Sequence, residues 1–134
     1  MKLILFLDER GGMLFNRRRQ SQDRVAREYI LRMTKGHRLW MNGYSQKQFK
    51  EEGEITLSEA PQKDAAADDY VLIENLPVSL EGVSEVILFL WNQLYPSDVR
   101  FDKATLKAAG FSLAEGTEMA GYSHEKITVE IYRR

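Results

Sequence analysis

The sequence predicts an α/β protein with a single mixed β-sheet, flanking helices and a C-terminal antiparallel hairpin. The continuous apolar run at Lys2–Leu7 has the composition of a central strand that is covered on both faces. Apolar residues at helical spacing over 25–33 place a helix after that strand, which favours parallel pairing of the early strands. Alternating apolar residues in 111–113 and 127–131 indicate a hairpin that pairs locally.

Length and composition are those of an ordinary globular protein. A chain of 134 residues predicts one domain spanning residues 1–134. Its content of 43% hydrophobic and 29% charged residues is that of a protein with a packed core. With 19 basic and 20 acidic side chains, no overall charge attracts the molecule to nucleic acid or to a membrane. The chain has no cysteine and no apolar run long enough for a membrane span, so we expect a cytoplasmic location.

The first strand is followed by turn and helix signals. Gly11-Gly12 ends the strand, and Ser21 is the expected N-cap of the first helix, with Asp23 in its first turn. The helix is expected to close at Lys35-Gly36, where a cation and a flexible glycine follow the last apolar residue.

The middle of the chain alternates short strands with polar segments. Arg38–Met41 and Ile55–Ser58 read as strands, and between them Ser45 is the expected cap of a short helix that ends near Glu52. The polar, alanine-rich segment 59–69 is predicted to be a surface loop.

The later strands carry the most hydrophobic part of the chain. Tyr70–Glu74 is predicted to be a strand that Asn75 and Pro77 stop, and Glu85–Gln93 a long buried strand. Val99–Phe101 is expected to continue that strand beyond a turn.

The charges are segregated along the chain. Arginines crowd the first third and acidic residues the middle, which is typical of two solvated faces. Two other interpretations are an anion site near residues 17–24 and a homodimer that joins the opposite charges. Arg17, Arg18 and Arg19 could clamp a phosphate because guanidinium groups match phosphate oxygens in pairs, or they could simply be solvated.

Other candidate groups are less specific. Asp8 follows the first strand and could bind a ligand or cap the backbone, while Tyr44 could stack on an aromatic ring. The two histidines, His37 and His124, are predicted to be solvated or locally bonded, although His124 has a proton affinity suited to acid–base work. No serine lies in a G-x-S-x-G elbow, and no histidine cluster predicts a metal site.

The order of these elements resembles dihydrofolate reductase. The likeness rests on LILFLDERGG near the start, RLWMNGYSQKQF in the middle, and VILFLWNQLYPSDVRFD followed by GFSLAEGTEMAGYSHEKITVEIYRR at the end. The resemblance implies that Asp23 binds a pterin ring and supports its protonation, as the catalytic residue. It also implies that Ser45 helps to hold the phosphates of the nicotinamide cofactor NADPH.

The sequence departs from that family in the cofactor region. The family's glycine pair and helix after its fifth strand have no counterpart in residues 75–84, and Phe15 and the arginines replace the family's tryptophan-proline signature. The opening segment also resembles a group of small bacterial proteins, some of which carry a ribonuclease-type name.

Three hypotheses follow from these observations. In the preferred one, the chain is a binding or interaction domain on a dihydrofolate reductase-like scaffold, with a small anionic or heteroaromatic ligand near Asp8, Arg17–Arg19, Asp23 and Tyr44. The second is a divergent NADPH-dependent reductase or another small enzyme that uses a nucleotide. The third is nucleic-acid binding through the arginines, which the acidic remainder of the chain opposes.

Overall fold

The computed structural model describes all residues 1–134 as ten strands and four helices. The helices are α1 (Arg24–Met33), α2 (Gly43–Gln46), α3 (Pro61–Asp64) and α4 (Ala104–Ala108). The strands are β1 (Lys2–Leu7), β2 (Gly12–Phe15), β3 (Arg18–Arg19), β4 (Leu39–Met41), β5 (Thr56–Leu57), β6 (Tyr70–Leu72), β7 (Glu85–Leu90), β8 (Val99–Arg100), β9 (Ser112–Met119) and β10 (Ile127–Arg133). None of the helices has the length and apolar character that crossing a membrane would require.

Seven strands form one sheet, which is mixed as the sequence predicts. Their order is β5-β4-β6-β1-β7-β10-β9, so β1 lies at the centre between two parallel neighbours. The last two strands form the expected antiparallel hairpin, and β10 pairs with β7. The segment between β6 and β7 contains no helix, which agrees with the missing glycine-and-helix unit noted in the sequence.

Two apolar clusters cover the two faces of this sheet. Side chains of β1 alternate between them, with Ile4 and Phe6 in one and Leu3, Leu5 and Leu7 in the other. Helix α1 packs on the first face through buried alanine and isoleucine, and the segment containing α4 covers the second. Full burial of a large apolar side chain is worth about 1.5–3 kcal/mol, so β1 contributes strongly to both faces.

A second, three-stranded sheet was not predicted. β2 pairs with both β3 and β8, and the turn between β2 and β3 carries Asn16 and Arg17 at positive φ, as a tight hairpin requires. We call residues 12–19 the arginine arm. The prediction that Val99–Phe101 continues the long strand is therefore wrong, because β8 leaves the main sheet to pair with this arm.

Both predicted helix caps are also wrong. Asp23, not Ser21, is the N-cap of α1, and its carboxylate accepts from the amides of Val25 and Ala26. Asn42, not Ser45, caps α2, which ends at Gln46 rather than near residue 52. A short polar side chain caps a helix only where the chain enters at the right angle, and the fold determines that angle.

Two short helices lie where none was predicted. The expected loop 59–69 contains α3, which begins with a proline at its first position, and α4 follows β8. Helices of four or five residues have too few apolar positions to show a period in the sequence.

Candidate functional site

The turn after β1 is organised around Asp8. Its carboxylate accepts hydrogen bonds from the amides of Arg10 (2.9 Å), Gly12 (2.7 Å) and Tyr95 (3.2 Å), and from Nε2 of Gln20 (2.9 Å). Burial alone would raise the pKa of Asp8, but these hydrogen bonds outweigh it and lower the pKa. Asp8 thus joins the arginine arm and the segment after β7 to the end of β1.

The glycine pair Gly11-Gly12 allows the backbone of this turn to lie close to its neighbours. A Cβ at Gly12 would lie 2.6 Å from Oδ2 of Asp8 and 2.5 Å from Nε2 of Gln20. Gly11 has φ +75°, and a Cβ there would lie 2.3 Å from the carbonyl oxygen of Phe101. The DERGG turn is therefore a packing requirement of this corner of the fold.

The three predicted arginines have different environments. Arg17 and Arg18 are exposed, whereas Arg19 points inward and its guanidinium binds Glu74 with both Nε (3.1 Å) and Nη2 (3.2 Å). Burial alone would lower the pKa of Arg19, but its hydrogen bond and charge interaction with Glu74 raise it. The positive charge of Arg19 is thus already paired with a carboxylate of the protein.

Tyr44 and Ser45 belong to the surroundings of that ion pair. The Tyr44 hydroxyl accepts from the amide of Arg19 at 2.7 Å, and its ring lies 4.5 Å from the Arg19 guanidinium carbon. Ser45 is fully buried, and its hydroxyl has no hydrogen-bond partner. Gln48 donates to Glu74 at 2.9 Å and completes the cluster.

A cavity of about 360 Å³ lies between the arginine arm and the segment after β7. We call it the Arg18 cavity. The Arg18 side chain forms no ion pair, and Oε1 of Gln20 is buried without a hydrogen-bond partner. The lining consists of Phe15, Asn16, Arg18, Arg19, Gln20, Tyr95 and Pro96. This is the position, outside the carboxyl ends of central strands, where open α/β sheets bind ligands.

Asp23 lies in a different cluster, at the start of α1. Oδ1 accepts from the amides of Val25 (2.8 Å) and Tyr122 (3.0 Å), and Oδ2 accepts from the amide of Ser123 (2.9 Å) and lies 2.8 Å from Nδ1 of His124. Burial alone would raise the pKa of Asp23. The hydrogen bonds from Tyr122, His124, Ser123 and Val25 outweigh burial and hold the pKa well below its usual range.

His124 extends this cluster towards the Arg18 cavity. Its Nε2 lies 2.8 Å from the Ser21 hydroxyl and 3.2 Å from the Tyr95 hydroxyl. The imidazole stacks on Trp91 with ring centroids 4.6 Å apart. Tyr95 therefore touches the histidine and also lines the cavity.

The predicted site residues thus divide among several environments. Arg18 and Arg19 line the cavity, and Asp8 supports it through Gln20. Tyr44 lies behind Arg19, Ser45 is buried, Arg17 is at the arm's turn, and Asp23 lies in the histidine cluster. No three histidine, aspartate or glutamate side chains form a group that could hold a metal ion.

The prediction that His124 is solvated or locally bonded is wrong, because the ring is buried and bonds Ser21 and Asp23, which lie far away in the sequence. The histidine lies 101 residues beyond the aspartate, so no local pattern joins them. Gln20 and Glu74 were also missed, because single polar residues give no signal until the fold buries them.

Comparison with solved structures identifies the architecture. A dihydrofolate reductase from Enterococcus faecalis, complexed with NADP(H) and RAB-propyl, superposes with a TM-score of 0.66 over 99% of this chain and 95% of that chain. The fold is that of dihydrofolate reductase. Sequence identity to this structure is 10%, so the similarity establishes the dihydrofolate reductase fold and not an activity. No protein-family model matches the chain. No curated protein matches it either.

Proposed function

We propose that this protein is a binding domain that takes a small anionic, aromatic ligand in the Arg18 cavity. The observation that carries the proposal is an unpaired guanidinium beside two aromatic rings at the carboxyl end of the sheet. Arg18 supplies a charge for a phosphate or carboxylate, and Phe15 and Tyr95 supply surfaces for a ring.

A buried acceptor adds to this chemistry. Oε1 of Gln20 has no partner, while Nε2 of the same side chain is held by Asp8 and by the Pro96 carbonyl. A buried acceptor left unpaired costs about 1–3 kcal/mol, so a ligand with an N–H or O–H group that reaches Oε1 by a small movement of the Gln20 side chain would recover part of that cost.

The surroundings of Asp23 support the binding of a ligand rather than the reduction of a pterin, which is the reaction of the reductase family. Both carboxylate oxygens already accept hydrogen bonds from the protein, so neither is free to accept from a pterin. The link between β6 and β7 lacks the glycine-and-helix unit expected for the cofactor's phosphates. NADPH serves as a test of the reductase alternative, and we expect no fluorescence change on titration to millimolar cofactor.

The test is a thermal-shift screen against pterins, nucleotides and phosphorylated metabolites. A ligand that binds the native protein raises the melting temperature by mass action. For any ligand found, Arg18→Glu is expected to weaken binding at least about tenfold, which corresponds to about 1.4 kcal/mol. Arg17→Glu is the matched control, because Arg17 is also exposed on the same arm and does not line the cavity.

Two results would contradict the proposal. One is a screen in which no compound raises the melting temperature. The other is a ligand whose affinity falls equally in Arg17→Glu and Arg18→Glu, since a general charge effect of the arm would then explain binding.

A further inference from the structure

Three side chains form a line of hydrogen bonds at the start of α1. The Asp23 carboxylate lies 2.8 Å from Nδ1 of His124, and Nε2 of the same ring lies 2.8 Å from Oγ of Ser21. Aspartate and histidine are buried, while the serine is only half-buried. A carboxylate that orients an imidazole towards a hydroxyl is the arrangement that activates a serine nucleophile.

The hydrogen-bond partners determine where each proton lies. Asp23 is surrounded by donors and accepts from Nδ1–H, so Nε2 of the neutral ring keeps its lone pair. The Tyr95 hydroxyl donates to Oε1 of Gln93 at 2.7 Å and has no second proton to give. The Ser21 hydroxyl is therefore the group that donates to Nε2.

Two contacts orient the His124 ring. The Asp23 carboxylate is within hydrogen-bond distance of Nδ1, and the Trp91 ring stacks on the imidazole at an interplanar angle of 21°. Together they hold the imidazole so that Nε2 faces the Ser21 hydroxyl.

We propose that Ser21 is a nucleophile activated by His124, and that the site transfers acyl groups from small esters. Ser21 is half-buried and directly follows Gln20 in the wall of the Arg18 cavity, and its hydroxyl shares Nε2 of His124 with the hydroxyl of Tyr95, which belongs to the same wall. This activity goes beyond ligand binding and does not depend on the identity of a ligand in the cavity.

The reaction has two steps, transfer of the acyl group to Ser21 and hydrolysis of the acyl-serine. Ser21 Oγ attacks the ester carbonyl carbon and its proton passes to Nε2 of His124. The bond between that carbon and the alcohol oxygen then breaks, and the alcohol leaves with the proton from His124. Water attacks the acyl-serine by the same route, which releases the acid and restores the serine.

The test uses a fluorophosphonate ester on the full-length protein, read by peptide mass spectrometry. Ser21 Oγ displaces fluoride from phosphorus, and His124 takes the hydroxyl proton. We expect an adduct on Ser21 that forms at least about tenfold faster than any adduct on Ser112, an exposed serine of β9. Ser21→Ala is expected to lose the adduct.

The variant His124→Asn removes the general base but can keep the hydrogen bond to Asp23. The asparagine amide can still donate to Asp23 from the position of Nδ1, but nothing replaces Nε2. We expect the labelling rate to fall about 100-fold or more, the usual contribution of a general base. His37→Gln changes the other histidine, which is exposed and lies outside this cluster, and is expected to keep the wild-type rate.

The wild-type protein and the variant each give a decisive result. A folded wild-type protein without an adduct on Ser21 overturns the proposal. So does a folded His124→Asn variant that is labelled at the wild-type rate, because the serine would then need no base. Labelling requires no ligand in the Arg18 cavity, so an unsuccessful ligand screen leaves this result unaffected.

Discussion

At the scale of single residues, Asp23 connects distant parts of the chain. It caps α1, accepts two amides from the loop between β9 and β10, and holds His124. A buried carboxylate is stable only when its oxygens are satisfied, and here the protein supplies every donor. The same contacts secure the helix and orient the imidazole.

The low pKa of Asp23 predicts a pH dependence of stability. Because the folded-state pKa lies below the unfolded value of 3.8, ionised Asp23 contributes fully above about pH 4, and the contribution is lost as the pH falls. Asp23→Asn is expected to lower the free energy of unfolding by about 2–4 kcal/mol at pH 7, and by less at about pH 3. Urea unfolding followed by circular dichroism at both pH values measures this difference.

Asp68→Asn is the control for that experiment. Asp68 is exposed in the turn before β6 and forms no ion pair, so its replacement is expected to change stability by less than about 0.5 kcal/mol. A loss in Asp23→Asn that is equally large at both pH values would mean that shape, rather than charge, accounts for the effect.

At the scale of elements, one ion pair joins the strand β3 of the arginine arm to the segment after β6. The strand β3 has only two residues and pairs only with β2, so backbone pairing alone attaches it weakly. Arg19 joins it to Glu74 after β6, and Gln48 after α2 shares the same carboxylate. This contact is thus one of those that fix the wall of the Arg18 cavity, together with the hydrogen bonds of Asn16 to Asp98 and of Gln20 to Asp8.

A double-mutant cycle tests the strength of that contact. Arg19→Met leaves the buried Glu74 carboxylate without its cation, and we expect a loss of about 2–3 kcal/mol in the free energy of unfolding. Arg19→Met combined with Glu74→Leu is expected to lose less than the sum of the single changes, with a coupling energy of about 1–3 kcal/mol. Urea denaturation of the four proteins gives the cycle.

The exposed pair Lys126–Glu118 provides the comparison. Its side chains are 53% and 63% exposed, against 20% and 5% for Arg19 and Glu74. Solvent screening is expected to keep its coupling energy below about 0.5 kcal/mol. Equal coupling in both pairs would remove the argument that burial makes the Arg19 contact important.

At the scale of the whole molecule, two apolar clusters share one sheet. Trp91 is buried in one cluster, and Trp40 packs against the other on the opposite face. Because β1 contributes to both clusters, neither face can lose its packing without disturbing the other.

This arrangement predicts one cooperative unfolding transition. In each of the single-tryptophan variants Trp40→Phe and Trp91→Phe, the fluorescence and circular dichroism midpoints in urea are expected to coincide. Midpoints that differ within one variant would show that the two faces unfold separately. A shift of both probes together would reflect only the stability cost of that substitution.

Most of the fold could be predicted from the sequence because the strongest sequence signals are local. The apolar run at Lys2–Leu7 predicted the central strand, and the order of strand and helix signals predicted the mixed sheet and its resemblance to dihydrofolate reductase. The arginine arm was missed because β3 has two residues and Val99 resembles a continuation of β7. Short elements have no period that a sequence can display.

In the candidate sites, too, the sequence determined some features and the tertiary structure determined others. By itself, the sequence determined that charged residues cluster after the first strand, since strand, glycine pair and arginines are neighbours along the chain. Only the tertiary structure decided that Arg19 is neutralised by Glu74 while Arg18 stays free, and that His124 meets Asp23 and Ser21. These contacts join residues 55 to 103 positions apart, and they exist because the strand order brings distant loops to one end of the sheet.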